Sequence, residues 1–158
     1  MADRNKVVVF QAGNEEYAFP ILHVISIEKI EQVTPIPHMP ASVKGIIQVR
    51  GELVPVIDLE HVLYNQGIVN GDKTRMIVLK TDELSYGVLV SDAREILDIP
   101  SESMKQLGLI AYQKTAYITG VASFDGRMIM VIDPEKLIQS VEGIKEIQDY
   151  MRSQHQSQ

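Results

Sequence analysis

Shifted by 69 residues, the chain matches itself: Val8-Val9-Phe10 falls on Ile77-Val78-Leu79, Tyr17-Ala18-Phe19 on Tyr86-Gly87-Val88, Ile27 on Ile96 and Ile30 on Ile99. Farther on the shift is 75, so the second copy carries six more residues in one loop. There Gly45 meets Gly120, Gly51 meets Gly126, Ile57-Asp58 meets Ile132-Asp133 and Glu60 meets Glu135. This duplication constrains the fold more than any single motif, because both copies must make the same unit. Each reads as five short strands with Gly-bearing turns, ended by a helix. Units of that kind make small barrels or sandwiches. One unit of about 60–70 residues buries too little surface to be stable alone. The two are therefore expected to pack together, with a third apolar seam between them.

Within the first copy, Val7–Phe10 and Tyr17–Ile21 read as strands around the turn Ala12–Glu16. His23 to Ile30 reads as a helical turn followed by a strand, although its apolar positions satisfy either period. Pro35, Pro37 and Pro40 hold the next stretch extended. Two strands, Gly45–Val49 and Leu53–Ile57, then flank the turn at Arg50-Gly51, and Leu59–Tyr64 reads as a short helix. After the polar linker 65–73 the pattern restarts. At its end Asp133 can cap a helix that Pro134 begins. Leu137, Val141, Ile144 and Met151 give the tail an apolar stripe, which Gly143 ends or kinks. The expected organisation is a single domain over 6–152. It has a first barrel repeat over about 6–68, a second over about 74–140, a C-terminal helix over 141–152 and a frayed tail over 153–158.

Composition narrows the chemistry. There is no cysteine, which removes thiolate nucleophiles, disulfides and Cys-ligated metals. The net charge of −6 and the 6% aromatic content argue against a nucleic-acid groove. No apolar run reaches membrane-span length, and the polar N-terminus does not read as a signal peptide. His23, His38, His61 and His155 have no metal-ligand spacing. No serine sits in a nucleophile elbow, and no phosphate-binding Gly-rich loop is present. No catalytic residue, metal or cofactor is therefore expected. The sharpest enzyme alternative pairs Asp58 with Asp133, equivalent residues that could share a proton near a pseudo-twofold axis. Both also read as helix caps, which explains more. Arg50 reads as a solvated turn residue or as half of an ion pair with Glu28. What remains is a module that offers edges and apolar grooves to partners.

The run Pro37-His38-Met39-Pro40-Ala41-Ser42-Val43-Lys44-Gly45 through Val49-Arg50-Gly51-Glu52-Leu53 to Ile57-Asp58-Leu59 resembles the hallmark segment of the CheW family of bacterial chemotaxis coupling proteins. Softer hallmarks resemble Tyr86–Leu97, and Ile118–Val121 through Asp125-Gly126-Arg127 to Ile132-Asp133. The resemblance runs from about Lys6 to Ser140. It implies a mainly β fold of two interlocked, five-stranded, SH3-like barrels. It implies a non-catalytic adaptor between the cytoplasmic tip of methyl-accepting chemoreceptors and the histidine kinase CheA. Such a protein is cytoplasmic, recruited to membrane-associated receptor arrays without inserting into the membrane. The same domain also occurs within larger CheV- and CheA-type proteins, so an excised domain of that kind is the alternative. Carried over by motif, the receptor groove involves Val24, Gly45, Arg50, Leu53 and Val88, with Ala93 and Ile96 nearby. Val24 and Val88 would form an apolar trough with Arg50 at its rim. Lys105 and Ile110, in the longer loop of the second repeat, fall where the family meets a neighbouring kinase domain. One departure stands out: some members carry an acidic residue where this chain has Ser26.

Overall fold

The computed structural model describes residues 6–156 apart from 31, 70, 83 and 107–115. Five strands make up the first repeat: β1 (Lys6–Ala12), β2 (Glu15–Pro20), β3 (Val24–Glu28), β4 (Val43–Val49) and β5 (Glu52–Asp58). Helix α1 (Leu59–Tyr64) follows. The second repeat gives β6 (Arg75–Lys80), β7 (Ser85–Val90), β8 (Asp92–Asp98), a short β9 (Met104–Gln106), β10 (Ile118–Phe124) and β11 (Arg127–Ile132). It ends in α2 (Pro134–Ser140), and α3 (Ile144–Gln156) extends beyond it. A single helical turn, Ile21–His23, leads into β3.

The strands form two sheets, ordered β8-β1-β2-β11-β10-β9 and β3-β6-β7-β5-β4. Exchanging repeat one for repeat two turns one order into the other, apart from the added β9. Each sheet thus takes its first hairpin from one repeat and its later strands from the other. The joints are parallel pairings, β2 with β11 and β5 with β7. Consecutive strands of one repeat cannot separate without tearing the other repeat's sheet, which is what interlocks the barrels.

Side-chain alternation explains why both hairpins read as almost continuously apolar. On β1, Val7 and Val9 fill one cluster with Ala18, Ile99, Ala122 and Ile129. Val8 and Phe10 point the other way, into a larger cluster with Phe19, Ile57, Ile77, Leu79, Tyr86 and Val88. On β6, Met76 and Val78 fill a third cluster with Val56 and Leu89, the interior of the five-stranded barrel. Strands covered on both faces lose the apolar–polar alternation of a half-exposed sheet. The larger cluster is the expected seam. Tyr17 and Tyr86 lie in it as well, and their hydroxyls reach the helices: Tyr86 donates to the Pro134 carbonyl at 2.6 Å, and Tyr17 meets the Tyr64 hydroxyl at 2.5 Å. Burial pushes both tyrosines far above the usual phenol range.

The tail differs from the expected helix over 141–152. Val141 is extended (ψ 124°) and Gly143 sits at φ +83°, so α2 stops at Ser140 and the next helix begins at Ile144. Gly143 breaks the helix rather than kinking it. Ile147 is fully buried against the seam, which anchors the start of α3, and the helix runs to Gln156.

Candidate functional site

The same bulge interrupts β3 and β8. On β3 the register steps between Val24 and Ser26: Val24 pairs with Leu79, Ser26 with Val78, Ile27 with Ile77 and Glu28 with Met76. Leu79 and Ile77 face the seam, whereas Val78 and Met76 face the barrel interior. Cross-strand partners share a face. Val24 and Ile27 therefore lie on the seam side, Ser26 and Glu28 point toward the barrel's interior, and Ile25 is the extra bulged residue. On β8, Ala93 pairs with Phe10 and Ile96 with Val8, again on the seam side, while Glu95 pairs with Val9 on the interior side. The bulges thus bring Val24 and Ile27, and separately Ala93 and Ile96, to the two edges where the seam meets solvent. Ile27 is 43% exposed and Ile96 57%. Leu22 and Ile25 extend the first edge as exposed apolar side chains. The period-two spacing of Ile25 and Ile27 is legible in the sequence; the bulge that exposes both is not.

The β4–β5 hairpin supplies the other prominent feature. Val49 pairs with Glu52, so its loop is the two residues Arg50 and Gly51, at φ +52° and +82°. The equivalent loop in the second repeat is Asp125-Gly126, at φ +52° and +75°. Two positive φ values define a type I′ turn, which favours Asn, Asp or Gly at both positions. Asp125-Gly126 satisfies that rule and Arg50 breaks it, at a conformational cost for a long side chain. The Arg50 side chain is 70% exposed and only 3.9 Å from Glu28 Oε2, a loose, solvated pair. Leu53 lies half-buried on the same hairpin, opposite Gln48.

Two expected groove residues move to the interior. Val88 is 0% exposed within the seam cluster, so it offers no surface to a partner. The junction of the barrels was the correct neighbourhood, but β7 lies in the middle of its sheet. Gly45 is also buried, at φ +143°, and an added Cβ would stand 2.1 Å from the Thr34 carbonyl oxygen. Thr34 and Ile46 exchange backbone hydrogen bonds of 2.9 and 2.8 Å there. Gly45 is required by that close crossing. Lys105 is exposed on β9, an edge strand, and Ile110 lies outside the described residues.

The corresponding ends of the two barrels carry different electrostatics. At the six-stranded end Arg127 makes a bidentate pair with Glu16 (3.0 and 2.6 Å) and reaches Glu95 at 2.7 Å. Hydrogen bonding to Arg127 holds the Glu16 carboxyl below its usual value, and the two carboxylates raise the guanidinium. In the five-stranded barrel the equivalent positions are Glu52, Ser85 and Ser26. The buried Ser26 hydroxyl has no hydrogen-bond partner among the described residues.

Asp58 and Asp133 are held locally as helix N-caps, as one sequence reading expected. The buried Asp58 carboxylate uses both oxygens: Oδ1 accepts from the His61 amide at 3.3 Å, and Oδ2 accepts from the Ile68 amide at 2.9 Å beside Lys44 at 3.8 Å. Among the described residues Asp133 uses Oδ1 alone, accepting from the Glu135 and Lys136 amides. Neither carboxylate is hydrogen-bonded to the other, so the paired-carboxylate geometry is not formed.

Fold and surface together define a double SH3-like barrel whose distinctive features are exposed apolar edges and a raised arginine. The family model of the CheW-like domain matches residues 6–142. A chemotaxis protein CheW from Klebsiella aerogenes is 35% identical over 136 residues, covering 85% of this chain and 82% of that protein. Another from Bacillus subtilis is 26% identical, covering 84% of this chain and 86% of that protein. The crystal structure of the scaffolding protein TtCheW from Thermoanaerobacter tengcongensis superposes with a TM-score of 0.75 at 29% identity, covering 82% of this chain and 88% of that one. The chain belongs to the CheW family, a family of chemotaxis scaffolds and adaptors. Among the described residues, no helix is long and apolar enough to cross a membrane.

Proposed function

We propose that this protein couples methyl-accepting chemoreceptors to the histidine kinase CheA, acting in the cytoplasm at membrane-associated receptor arrays and carrying out no reaction of its own. The observation that supports a receptor-facing surface is Arg50. A long cationic side chain is kept in a left-handed turn position, mostly in solvent, where the second repeat carries the turn-favouring Asp125. Nothing in the folding of the hairpin requires an arginine there. In this reading the receptor surface comprises Val24, Arg50, Leu53, Ala93 and Ile96, with Ile27 added from its exposure. Gly45 and Val88 support it from within. A helical receptor tip would lay apolar positions against the seam edges. Lys105 and Ile110 are the proposed kinase-side contacts, and an exposed edge strand such as β9 is available for pairing.

The test is a titration of the protein against a receptor cytoplasmic fragment and against CheA separately. Binding to both, and formation of a ternary complex, is the expected result. Binding to neither would overturn the reading.

A further inference from the structure

The two seam edges are equivalent in backbone but not in charge. Beside Ala93 the surface opens into a cleft of about 430 Å³, lined by Lys73, Arg75, Asp92, Ala93, Arg94 and Glu95. Three of those six side chains are cationic, in a chain of net charge −6. Of the two carboxylates, Glu95 is engaged by Arg127. Arg75 is fixed in place, because its Nη1 donates to the carbonyls of Asp72 and Thr74 at 2.8 Å each. That leaves its Nη2 and Nε hydrogens without partners among the described residues. Among the described residues Arg94 donates to the neutral Gln11 side chain and adds a weaker pull on the Glu16 carboxyl, and Lys73 is exposed. Among the described residues, none of the three forms an ion pair. Of the three cations only Arg94 lacks a cationic counterpart in the first repeat: Ala93, Arg94 and Glu95 correspond to Val24, Ile25 and Ser26, whereas Lys73 and Arg75 correspond to Arg4 and Lys6.

We infer that the Lys73–Arg75–Arg94 cleft takes an acidic side chain of the docking receptor helix, an inference that rests on the receptor reading above. A guanidinium with free, preoriented donors suits a carboxylate. The cleft's size suits one or two side chains rather than a polyanion, which the chain's net negative charge would also repel. Ala93 and Ile96 supply the adjoining apolar contact, so a helix with an Asp or Glu beside its apolar positions matches the edge. The charged cleft then orients the helix and selects its sequence, while the apolar edges supply contact area.

The experiment titrates the cytoplasmic tip of a methyl-accepting chemoreceptor into the wild type, a Lys73→Glu/Arg94→Glu variant and a Lys73→Gln/Arg94→Gln variant. Each is measured at low and at raised salt, with CheA binding and thermal melts as controls. The expected result is a loss of about tenfold or more in receptor affinity for the Glu variant at low salt, and a smaller loss for the Gln variant. Wild-type affinity should fall as salt rises, and that of the Glu variant should not. CheA affinity and melting should hold. Wild-type binding that ignores both salt and charge reversal would overturn this inference and leave the receptor reading standing. Failure of the wild type to bind the receptor tip would overturn both.

Discussion

Strands β3 and β8 occupy the same place in the two repeats, break at the same bulge and end up with opposite surfaces. The first presents Ile25 and Ile27 to solvent, next to Leu22 on the preceding turn; the second presents Arg94 and Ile96, with Asp92 half-buried beside them. The ends of the two barrels differ in the same sense, one closed by the Glu16–Arg127–Glu95 network and the other left with Ser26 and a loosely held Arg50. What the repeats share is therefore what folding requires: bulge positions, crossing glycines, caps and seam residues. Where equivalent positions diverge, the constraint is something other than the backbone, and those positions are where partner recognition is expected.

The largest effect should come from confusing the two classes of residue. Val88→Glu puts an uncompensated charge into the seam and should cost upwards of about 4 kcal/mol, leaving little folded protein. Ile27→Glu, exposed on the seam edge, should shift the melting temperature little and should weaken receptor binding. Thermal melts of the pair measure this directly. Equal destabilisation would mean that Ile27 is core after all.

Glycines give the next contrast. Gly45→Ala must move the Thr34 backbone and should cost about 2–3 kcal/mol. Gly51→Ala meets nothing within 4 Å and bears only the penalty of its positive φ, about 1 kcal/mol. Denaturant midpoints of the two variants should rank accordingly.

The equivalent aspartates should separate as well. Asp133→Asn keeps the one oxygen that caps α2 and should be nearly neutral. Asp58→Asn replaces one of two working acceptors with an NH2 group, leaving either the His61 or the Ile68 amide unsatisfied and weakening the Lys44 pair. It should cost about 1–3 kcal/mol. Equal, negligible costs would show that the Ile68 and Lys44 contacts carry no weight.

Much of this was legible in the sequence, for identifiable reasons. The matched spacing of Gly45 with Gly120 and of Ile57-Asp58 with Ile132-Asp133 exposed the duplication, and apolar content implied a seam. Strand exchange was not legible from the residues alone, because a repeat says which strands are alike and not which ones pair. Nor were the bulges, which reverse the faces of Ser26 and Ile27 with no Gly or Pro to mark them. Val88 was misassigned because a seam residue and a groove residue have the same apolar character, and only position in the sheet separates them. Arg50 was singled out beside Gly51, yet its breach of the turn rule depends on a two-residue loop that only the register defines.

A smaller effect is expected from the six-stranded barrel's charge network. Its members are partly exposed, so Arg127→Met should cost only about 1 kcal/mol. Because Arg127 holds the folded Glu16 carboxyl below the usual value of 4.5, its contribution is present above that pH and is lost as pH falls through the lowered value. The difference in stability between wild type and Arg127→Met should therefore shrink on acidification below about pH 4.5. Paired melts across pH 3–7 would detect it, and a difference that grew toward low pH would contradict the assignment.

The smallest structural change makes the most direct test. Arg50→Asn replaces a disfavoured turn residue with a favoured one, so its melting temperature should stay level or rise slightly, by up to about 0.5 kcal/mol in stability. Titrated against a receptor fragment and against CheA, the variant should lose about tenfold in receptor affinity and retain kinase affinity. Unchanged receptor binding, or equal losses toward both partners, would contradict the view that positions diverging between the two repeats form a dedicated receptor surface.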